Sequence, residues 1–119
     1  MRDSLLFEKS KELCHKGLDI VEILISKNRY NFAKQLEKSV TSIAANIAEA
    51  QHPESKNDFI HKLKIALKES RETHFWLKLI EERNLAEIDS ETYDLHNHVQ
   101  CMLSKSIITA KKNDSKSNP

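Results

Sequence analysis

Two Glu-x-x-His spacings are the feature of this sequence that most directly suggests chemistry. Glu12 precedes His15 by three residues, and Glu49 precedes His52 by the same distance. Residues three apart lie on one face of a helix. Di-metal sites in helical bundles take such a pair from each of two helices and a carboxylate from each of the other two. The spacing therefore raises a di-metal carboxylate bundle enzyme as one alternative.

The local sequence around these pairs argues against a metal site. Glu12 and His15 lie among lysines beside the apolar stripe of their helix, and His52 adjoins Pro53, where a helix must break. The later segments offer no inward carboxylate at a matching depth. The sequence also lacks a nucleophile-elbow glycine, a phosphate-binding loop and a His-Glu-x-x-His run. We therefore expect no catalytic residue, no metal, no cofactor and no small-molecule substrate.

The middle of the chain combines an apolar stripe with a row of polar side chains. Ser42, Asn46 and Glu49 follow i, i+4 and i+7 beside Ile43 and Ile47, so this helix is expected to be buried on more than one side. In a structural interpretation the polar row hydrogen-bonds a neighbouring helix, because buried polar groups without partners cost about 1–3 kcal/mol each. In a functional interpretation it forms part of a ligand or partner site.

Small side chains in the same segment predict a close helix crossing. Its four alanines would let a neighbouring backbone approach. We expect Ala45→Leu to disrupt the bundle or its assembly, since added volume at a close crossing costs about 1–3 kcal/mol. Ser70 and Thr73 lie in the apolar seam of the next helix. In the structural interpretation, Asn46 and Glu49 hydrogen-bond Ser70, Thr73 or a backbone carbonyl oxygen of that helix.

Basic side chains on the third predicted helix are the candidate nucleic-acid contacts. They are Lys62, Lys64, Lys68 and Arg71. Glu69 and Glu72 lie within one helical turn and are expected to pair with them. Such pairing favours a solvated face over a phosphate-binding surface.

Phe75 and Trp76 are the candidate subunit contacts. Adjacent residues on a helix point in different directions, so one ring should pack inward while the other lies at the surface. Large aromatic side chains are enriched at subunit interfaces.

Composition restricts the fold class and the compartment. The chain has 119 residues with one glycine and two prolines, which predicts long helices rather than a turn-rich sheet. Its 19 basic and 18 acidic residues give a formal net charge of +1, so there is no global attraction to nucleic acid or to an anionic membrane. Cys14 and Cys101 lack a metal-binding spacing and suggest free thiols. We expect a cytoplasmic protein with no membrane partner, because no apolar run approaches the length of a bilayer span.

Apolar periodicity predicts four helices. The first covers residues 4–26, and the second covers residues 32–51 with Asn31 as its cap. Ser55 caps the third helix, which ends at Asn84.

The fourth helix completes an all-α fold of four helices. It follows Ile88 and Asp89, which have the positions of a hydrophobic staple and a cap. Its apolar positions are Leu95, Val99, Leu103, Ile107 and Ala110. The composition then becomes polar. We expect one bundle domain over residues 1–112 and a polar, disordered tail over residues 113–119.

Three stretches of the chain together resemble one protein family. They are Ser42–Ala50, Ser55–Ser70 and Glu72–Leu77. In their order and spacing, over about two thirds of the chain, they resemble the small four-helix-bundle (S23-type) proteins encoded in intervening sequences of bacterial 23S rRNA genes. The resemblance implies a polar motif, predicted to be buried, at Ser42, Asn46, Glu49, Ser70 and Glu72.

The resemblance also implies an assembly and a partner. Proteins similar to this chain form up-and-down antiparallel four-helix bundles that assemble as cyclic homopentamers. Their relatives include the accessory variability protein of diversity-generating retroelements, which binds a reverse transcriptase and nucleic acid. We expect a non-catalytic homo-oligomeric binding protein whose partner is RNA or a nucleoprotein complex. The alternatives are a purely structural homo-oligomer or protein–protein scaffold and, with less support, the di-metal enzyme.

Overall fold

The computed structural model describes residues 4–117, which form four α-helices. The helices are α1 (Leu5–Ser26), α2 (Tyr30–Ala50), α3 (Lys56–Glu82) and α4 (Ser90–Ser117). α1 and α3 each pack against both α2 and α4, so the helices occupy the corners of a square, and short connections make sequential helices antiparallel. No β-strand occurs in the described range. The predicted all-α four-helix bundle is confirmed.

An asparagine in the left-handed conformation follows both α1 and α3. Asn28 has a φ of 61°, and the backbone N–H of Arg29 donates to the carbonyl oxygen of Leu24 at 2.8 Å, which closes the end of α1. The same pattern recurs at Asn84, where φ is 57°. Asparagine tolerates this conformation better than other non-glycine residues. The predicted end of the third helix at Asn84 is confirmed.

The start of α2 differs from the prediction. The helix begins at Tyr30 rather than at residue 32, and Arg29 rather than Asn31 holds the cap position, without a side-chain hydrogen bond. The reason is the left-handed turn at Asn28, which reverses the chain within so few residues that a helical backbone resumes at once. The N–H of Ala33 already donates to the carbonyl oxygen of Arg29 at 3.0 Å.

Side-chain caps begin α3 and α4 as predicted. The N–H of Asp58 donates to Ser55 Oγ at 3.0 Å. In a capping box the Asp58 carboxylate would accept from the N–H of Ser55, but here Asp58 Oδ2 accepts from the N–H of Glu54. Asp89 Oδ1 accepts from the N–H of Thr92 at 2.7 Å and from its hydroxyl at 2.6 Å. The hydroxyl contact and then the backbone contact lower the pKa of Asp89. These caps satisfy donors that a helix start leaves without partners.

The last helix is longer than predicted. α4 continues to Ser117, so positions 113–117 are helical where the sequence predicted a disordered polar tail. A helix that has already formed adds one hydrogen bond for each further residue that it orders, so propagation needs no apolar contact. Residues 1–3 of the predicted domain and residues 118–119 of the predicted tail lie outside the described residues.

The core consists of two apolar clusters, each with members from all or most of the helices. One contains Leu13, Val40, Ile43, Ile47, Ala50, Leu63, Ala66, Val99, Leu103 and Ile107. The other contains Ile20, Val21, Leu24, Ala33, Leu36, Leu77, Ile80, Leu85, Ala86 and Ile88. Between them, in the middle of the bundle, the buried residues are small or polar. They are Gly17, Ser39, Ser70, Thr73 and His96.

The close helix crossing lies at Gly17 and not at Ala45. A Cβ atom at Gly17 would lie 2.9 Å from both Cγ atoms of Val40, so α1 approaches α2 as closely as a glycine allows. Ala45 is exposed. The predicted disruption of the bundle by Ala45→Leu is therefore wrong for the single chain, because the added volume would enter solvent. Its effect on an assembly stays a prediction.

We expect Gly17→Ala to destabilise the protein by about 1 kcal/mol. Overpacking costs roughly 1–3 kcal/mol, whereas replacing glycine by alanine within a helix returns about 1 kcal/mol. Val40 is β-branched and has little rotamer freedom with which to move away. Urea unfolding of the variant measures the difference.

The matched control is Gly17→Ala combined with Val40→Ala. Alanine at position 40 removes the two Cγ atoms that the new methyl group would meet. In that background Gly17→Ala should become neutral or stabilising. If Gly17→Ala alone made the protein more stable than the wild type, the α1–α2 crossing would have room for a methyl group, which would contradict the prediction.

Candidate functional site

α3 carries three exposed cations on one face, here called the basic stripe: Lys64, Lys68 and Arg71. Their spacing of four and three residues keeps them on the side of α3 that faces away from the core. Among the described residues, no carboxylate oxygen lies within 4.0 Å of any of the three; the basic residues that have such a partner are Lys9, Lys16, Lys62 and Lys78. The stripe therefore presents three positive charges without a direct ion pair.

The acidic residues that were expected to neutralise the stripe lie to one side of it. Glu69 and Glu72 are half-buried on the flank of α3 that faces α2. Burial raises the pKa of Glu69, the neighbouring charge of Glu72 raises it further, and Lys68 and Lys38 of α2 lower it. Glu69 Oε2 is buried without a hydrogen-bond partner. The predicted ion pairs of Glu69 and Glu72 with the stripe are wrong for the described geometry.

Two further lysines lie at the margins of the stripe. Lys62, predicted as part of the same nucleic-acid surface, is on the α2 side of α3, where its Nζ is 3.5 Å from Glu49 Oε1. It therefore does not join the stripe. Lys111 of α4 does, because it lies beside Lys64. Hydrogen-bonding contact with Lys64, and then the charge of Lys64, lower the pKa of Lys111.

Phe75 and Trp76 point in different directions, as predicted. Phe75 is 55% exposed, one turn beyond Arg71 on the outer face of α3. Trp76 is half-buried and meets Phe32 of α2 edge to face, with ring centroids 6.0 Å apart. Trp76 Nε1 is buried without a hydrogen-bond partner. A subunit contact at these rings stays a prediction.

The polar row on α2 does not reach into the core. Asn46 Nδ2 donates to the carbonyl oxygen of Ser42 at 2.9 Å and to Ser42 Oγ at 3.2 Å, so it bonds within its own helix. Both residues are half-buried, as is Glu72, and Glu49 is exposed. The predicted hydrogen bonds to Ser70 or Thr73 are wrong. Among the five motif residues, burial is complete only at Ser70.

Ser70 and Thr73 belong to a different hydrogen-bonded group, here called the polar layer. Thr73 Oγ1 donates to Ser39 Oγ at 2.9 Å, and Ser70 Oγ donates to Gln100 Oε1 at 3.1 Å. His96 Nε2 lies 2.8 Å from the carbonyl oxygen of Ser70. A carbonyl oxygen only accepts, so this nitrogen carries the proton. The layer joins α3 to α2 on one side and to α4 on the other.

Sequence reasoning missed His96 and Ser39. The seam of α4 was assigned through Leu95, whereas the buried positions before Val99 are Thr92 and His96. The buried positions Val99, Leu103 and Ile107 are four residues apart, and a step of three residues before Val99 gives His96. Because histidine is polar, the apolar pattern did not include it. His98, two residues later, is exposed and lies on a different face of α4.

The residues of the two Glu-x-x-His spacings do not converge. Glu12, His15, Glu49 and His52 are exposed on the outer sides of α1 and α2. Among the side chains that the structure describes, residues 4–113, no group of three or more His, Cys, Asp or Glu is placed to hold a metal ion. The buried pair of Ser70 and His96 also lacks access for a substrate, because Ser70 is 0% exposed and His96 is 1% exposed.

Comparison with known protein families identifies the family of the chain. The family described as 23S rRNA-intervening sequence protein matches residues 2–105. The chain belongs to this family. Among curated proteins no match is found. Over the described residues of this intervening-sequence protein, no helix is long and apolar enough to span a membrane.

A solved structure supports the family assignment and the fold. It is the crystal structure of a protein with unknown function from the S23 ribosomal protein family of Bacteroides thetaiotaomicron VPI-5482. The two sequences are 35% identical, and the match covers 88% of the intervening-sequence protein and 96% of that chain, with a TM-score of 0.72. The four-helix fold is therefore shared with a relative along almost its whole length.

The polar layer makes stability depend on pH. Burial lowers the pKa of His96 below its ordinary value of 6.5, against the raising effects of the Ser70 carbonyl oxygen and the Asn97 side chain, which favour the protonated ring. Below about pH 6.5 the unfolded chain binds a proton that the folded chain resists. The stabilisation is complete above that pH and is lost as the pH falls through the folded-state pKa.

We expect the free energy of unfolding to fall more steeply between pH 7 and pH 5 in the wild type than in His96→Gln. Urea unfolding at several pH values measures both slopes. His98→Gln, an exposed change on the same helix, should keep the wild-type slope. Equal slopes in the wild type and His96→Gln would contradict a buried neutral histidine.

Proposed function

We propose that this intervening-sequence protein is a non-catalytic, homo-oligomeric four-helix bundle that binds RNA through the basic stripe. The observation that supports the proposal is the exposure of Lys64, Lys68 and Arg71 on one face of α3, with no carboxylate within 4.0 Å among the described residues. Clustered cations of this kind bind phosphates by releasing condensed counterions. The family description, which links its members to 23S rRNA intervening sequences, is consistent with an RNA partner.

The local charge outweighs the net charge in this argument. A formal charge of +1 over 119 residues gives no long-range attraction. Exposed charges more than about 8–10 Å apart are largely screened at physiological salt, so a phosphate near the stripe is affected mainly by the stripe itself. Lys111 adds a further ammonium group beside Lys64, where two like charges favour an anion between them.

Assembly as a cyclic homopentamer is the second part of the proposal. It is supported by the family resemblance and by large apolar side chains that the single chain leaves exposed. These include Leu5, Ile23, Ile25 and Ile108. Five copies of a weak basic stripe on one ring would bind an RNA strand with far greater avidity than one copy.

Binding rather than catalysis fits the described chemistry. The candidate metal ligands are dispersed, and the half-buried Cys14 has a thiol pKa raised by burial and by the charge of Glu37, which disfavours the reactive thiolate. Cys14 and Cys101 are both free thiols, which supports a cytoplasmic location.

We expect the affinity for single-stranded RNA to fall steeply with salt, and Lys64→Gln/Lys68→Gln to make that dependence shallower. Each phosphate contact contributes about 0.7 to the slope of log K against log salt, so two lost contacts remove about 1.4. Fluorescence anisotropy across a salt series measures both slopes.

The control for this prediction is Lys11→Gln/Lys34→Gln, which makes the same change in net charge on exposed faces of α1 and α2. It should keep the wild-type slope. Equal loss in both double variants would assign binding to net charge and overturn the role of the stripe. No RNA binding by the wild type would leave a structural homo-oligomer or protein scaffold as the function.

We expect a solution mass of 69 kDa, that of five chains of 13.8 kDa. Light scattering during size exclusion, on protein whose absorbance ratio shows it to be free of nucleic acid, measures this mass. A mass of 13.8 kDa at every concentration tested would remove the pentamer from the proposal.

A further inference from the structure

Phe75 continues the basic stripe along α3. It lies four residues after Arg71, seven after Lys68 and three before Lys78, so all four residues share the outer face. Lys78 is 3.5 Å from Glu81, which leaves the cations without a direct ion pair on the Arg71 side of the ring. Proteins that bind single-stranded nucleic acids place cations along the backbone and aromatic rings against the bases. Phe75 with the basic stripe has this composition.

Neighbouring rings restrain Phe75 although it is exposed. Its ring meets Trp76 at a centroid distance of 5.0 Å and an interplanar angle of 75°. Trp76 in turn contacts Phe32 and packs against the apolar cluster near the ends of α1 and α3. A ring with two side-chain torsions, supported in this way, loses little conformational entropy when a ligand stacks on it.

We propose that Phe75 stacks on an unpaired base while Lys64, Lys68 and Arg71 contact phosphates of the same strand, so that the surface selects single-stranded over duplex RNA. This inference rests on the proposed function and specifies its ligand. In an A-form duplex the bases stack on one another and the deep, narrow major groove excludes side chains. A duplex therefore offers phosphates to the stripe but no base face to Phe75.

The dimensions of the surface suit a short strand. A helix rises 1.5 Å per residue, so Phe75 is about 6 Å along the axis from Arg71 and about 16 Å from Lys64. An RNA segment of a few nucleotides covers this length. That is within the range of about 4–16 nucleotides bound by single-strand-binding modules.

The test compares Phe75→Ala with the wild type on two probes. One is a single-stranded RNA of about ten nucleotides that carries 2-aminopurine, and the other is the same strand annealed to its complement. We expect the wild type to bind the single strand about 10-fold more tightly than the duplex and to change the 2-aminopurine fluorescence. Stacking of one base is worth about 1–3 kcal/mol, so Phe75→Ala should bind the single strand about 10-fold more weakly and the duplex unchanged.

Two control variants separate stacking from other effects. Tyr30→Ala removes another exposed aromatic ring, on α2 and off the stripe, and should bind as the wild type does. Phe75→Trp retains an aromatic face and should restore single-strand affinity. Because Phe75 is exposed, its variants should keep the helical circular dichroism of the wild type.

The outcomes distinguish this inference from the proposed function. Salt-dependent binding that Phe75→Ala leaves unchanged, or equal affinity for both probes, would overturn the stacking inference and leave RNA binding by the stripe. No binding of either probe would overturn both. Competition by polyglutamate as strong as that by RNA would assign the surface to an acidic protein partner and would also overturn the inference.

Discussion

The polar layer in the middle of the bundle is the constraint on which the rest of the structure depends. Apolar side chains pack without direction, so two helices joined only by leucines and isoleucines tolerate small shifts along their axes. The 2.8 Å contact between His96 Nε2 and the carbonyl oxygen of Ser70 allows no such shift. A buried donor or acceptor that loses its partner costs about 1–3 kcal/mol. Together with the bond from Thr73 to Ser39, it sets the axial alignment of α2, α3 and α4.

The outer face of α3 follows from its inner face. Once Ser70 and Thr73 point into the bundle, the helical period turns Lys68, Arg71 and Phe75 outward. The same rotation places Glu69 on the α2 side of the helix, where it is half-buried and makes no ion pair within 4.0 Å with the solvent-facing cations. A chain of almost zero net charge thus gains a local basic surface, because Lys64, Lys68 and Arg71 share one face of α3 while Glu69 and Glu72 are half-buried.

The sequence predicted the elements better than the contacts between polar groups. The sequence predicted the caps at Ser55 and Asp89, because Ser and Asp before a helix commonly accept a hydrogen bond from a backbone N–H of its first turn. The sequence predicts a buried polar row at Asn46, but the Asn46 amide donates to the carbonyl oxygen of Ser42, one turn earlier on the same helix. The spacing of the polar residues does not distinguish a hydrogen bond within the helix from one to another helix. His96 was missed because periodicity was followed through apolar residues. The exposure of the basic stripe depends on which neighbour each flank of α3 meets, and this is a property of the assembled bundle.

The two left-handed asparagines have a consequence for the unfolded chain. Asn28 and Asn84 lie in the α1–α2 and α3–α4 connections, at the same end of the bundle. Glycine would adopt this conformation with less strain, but it has many more backbone states to lose on folding. With asparagine at both turns, the denatured ensemble is narrower, and the entropy lost in closing these two hairpins is smaller. The one glycine of the chain, Gly17, lies at the α1–α2 crossing, where a side chain would collide with Val40.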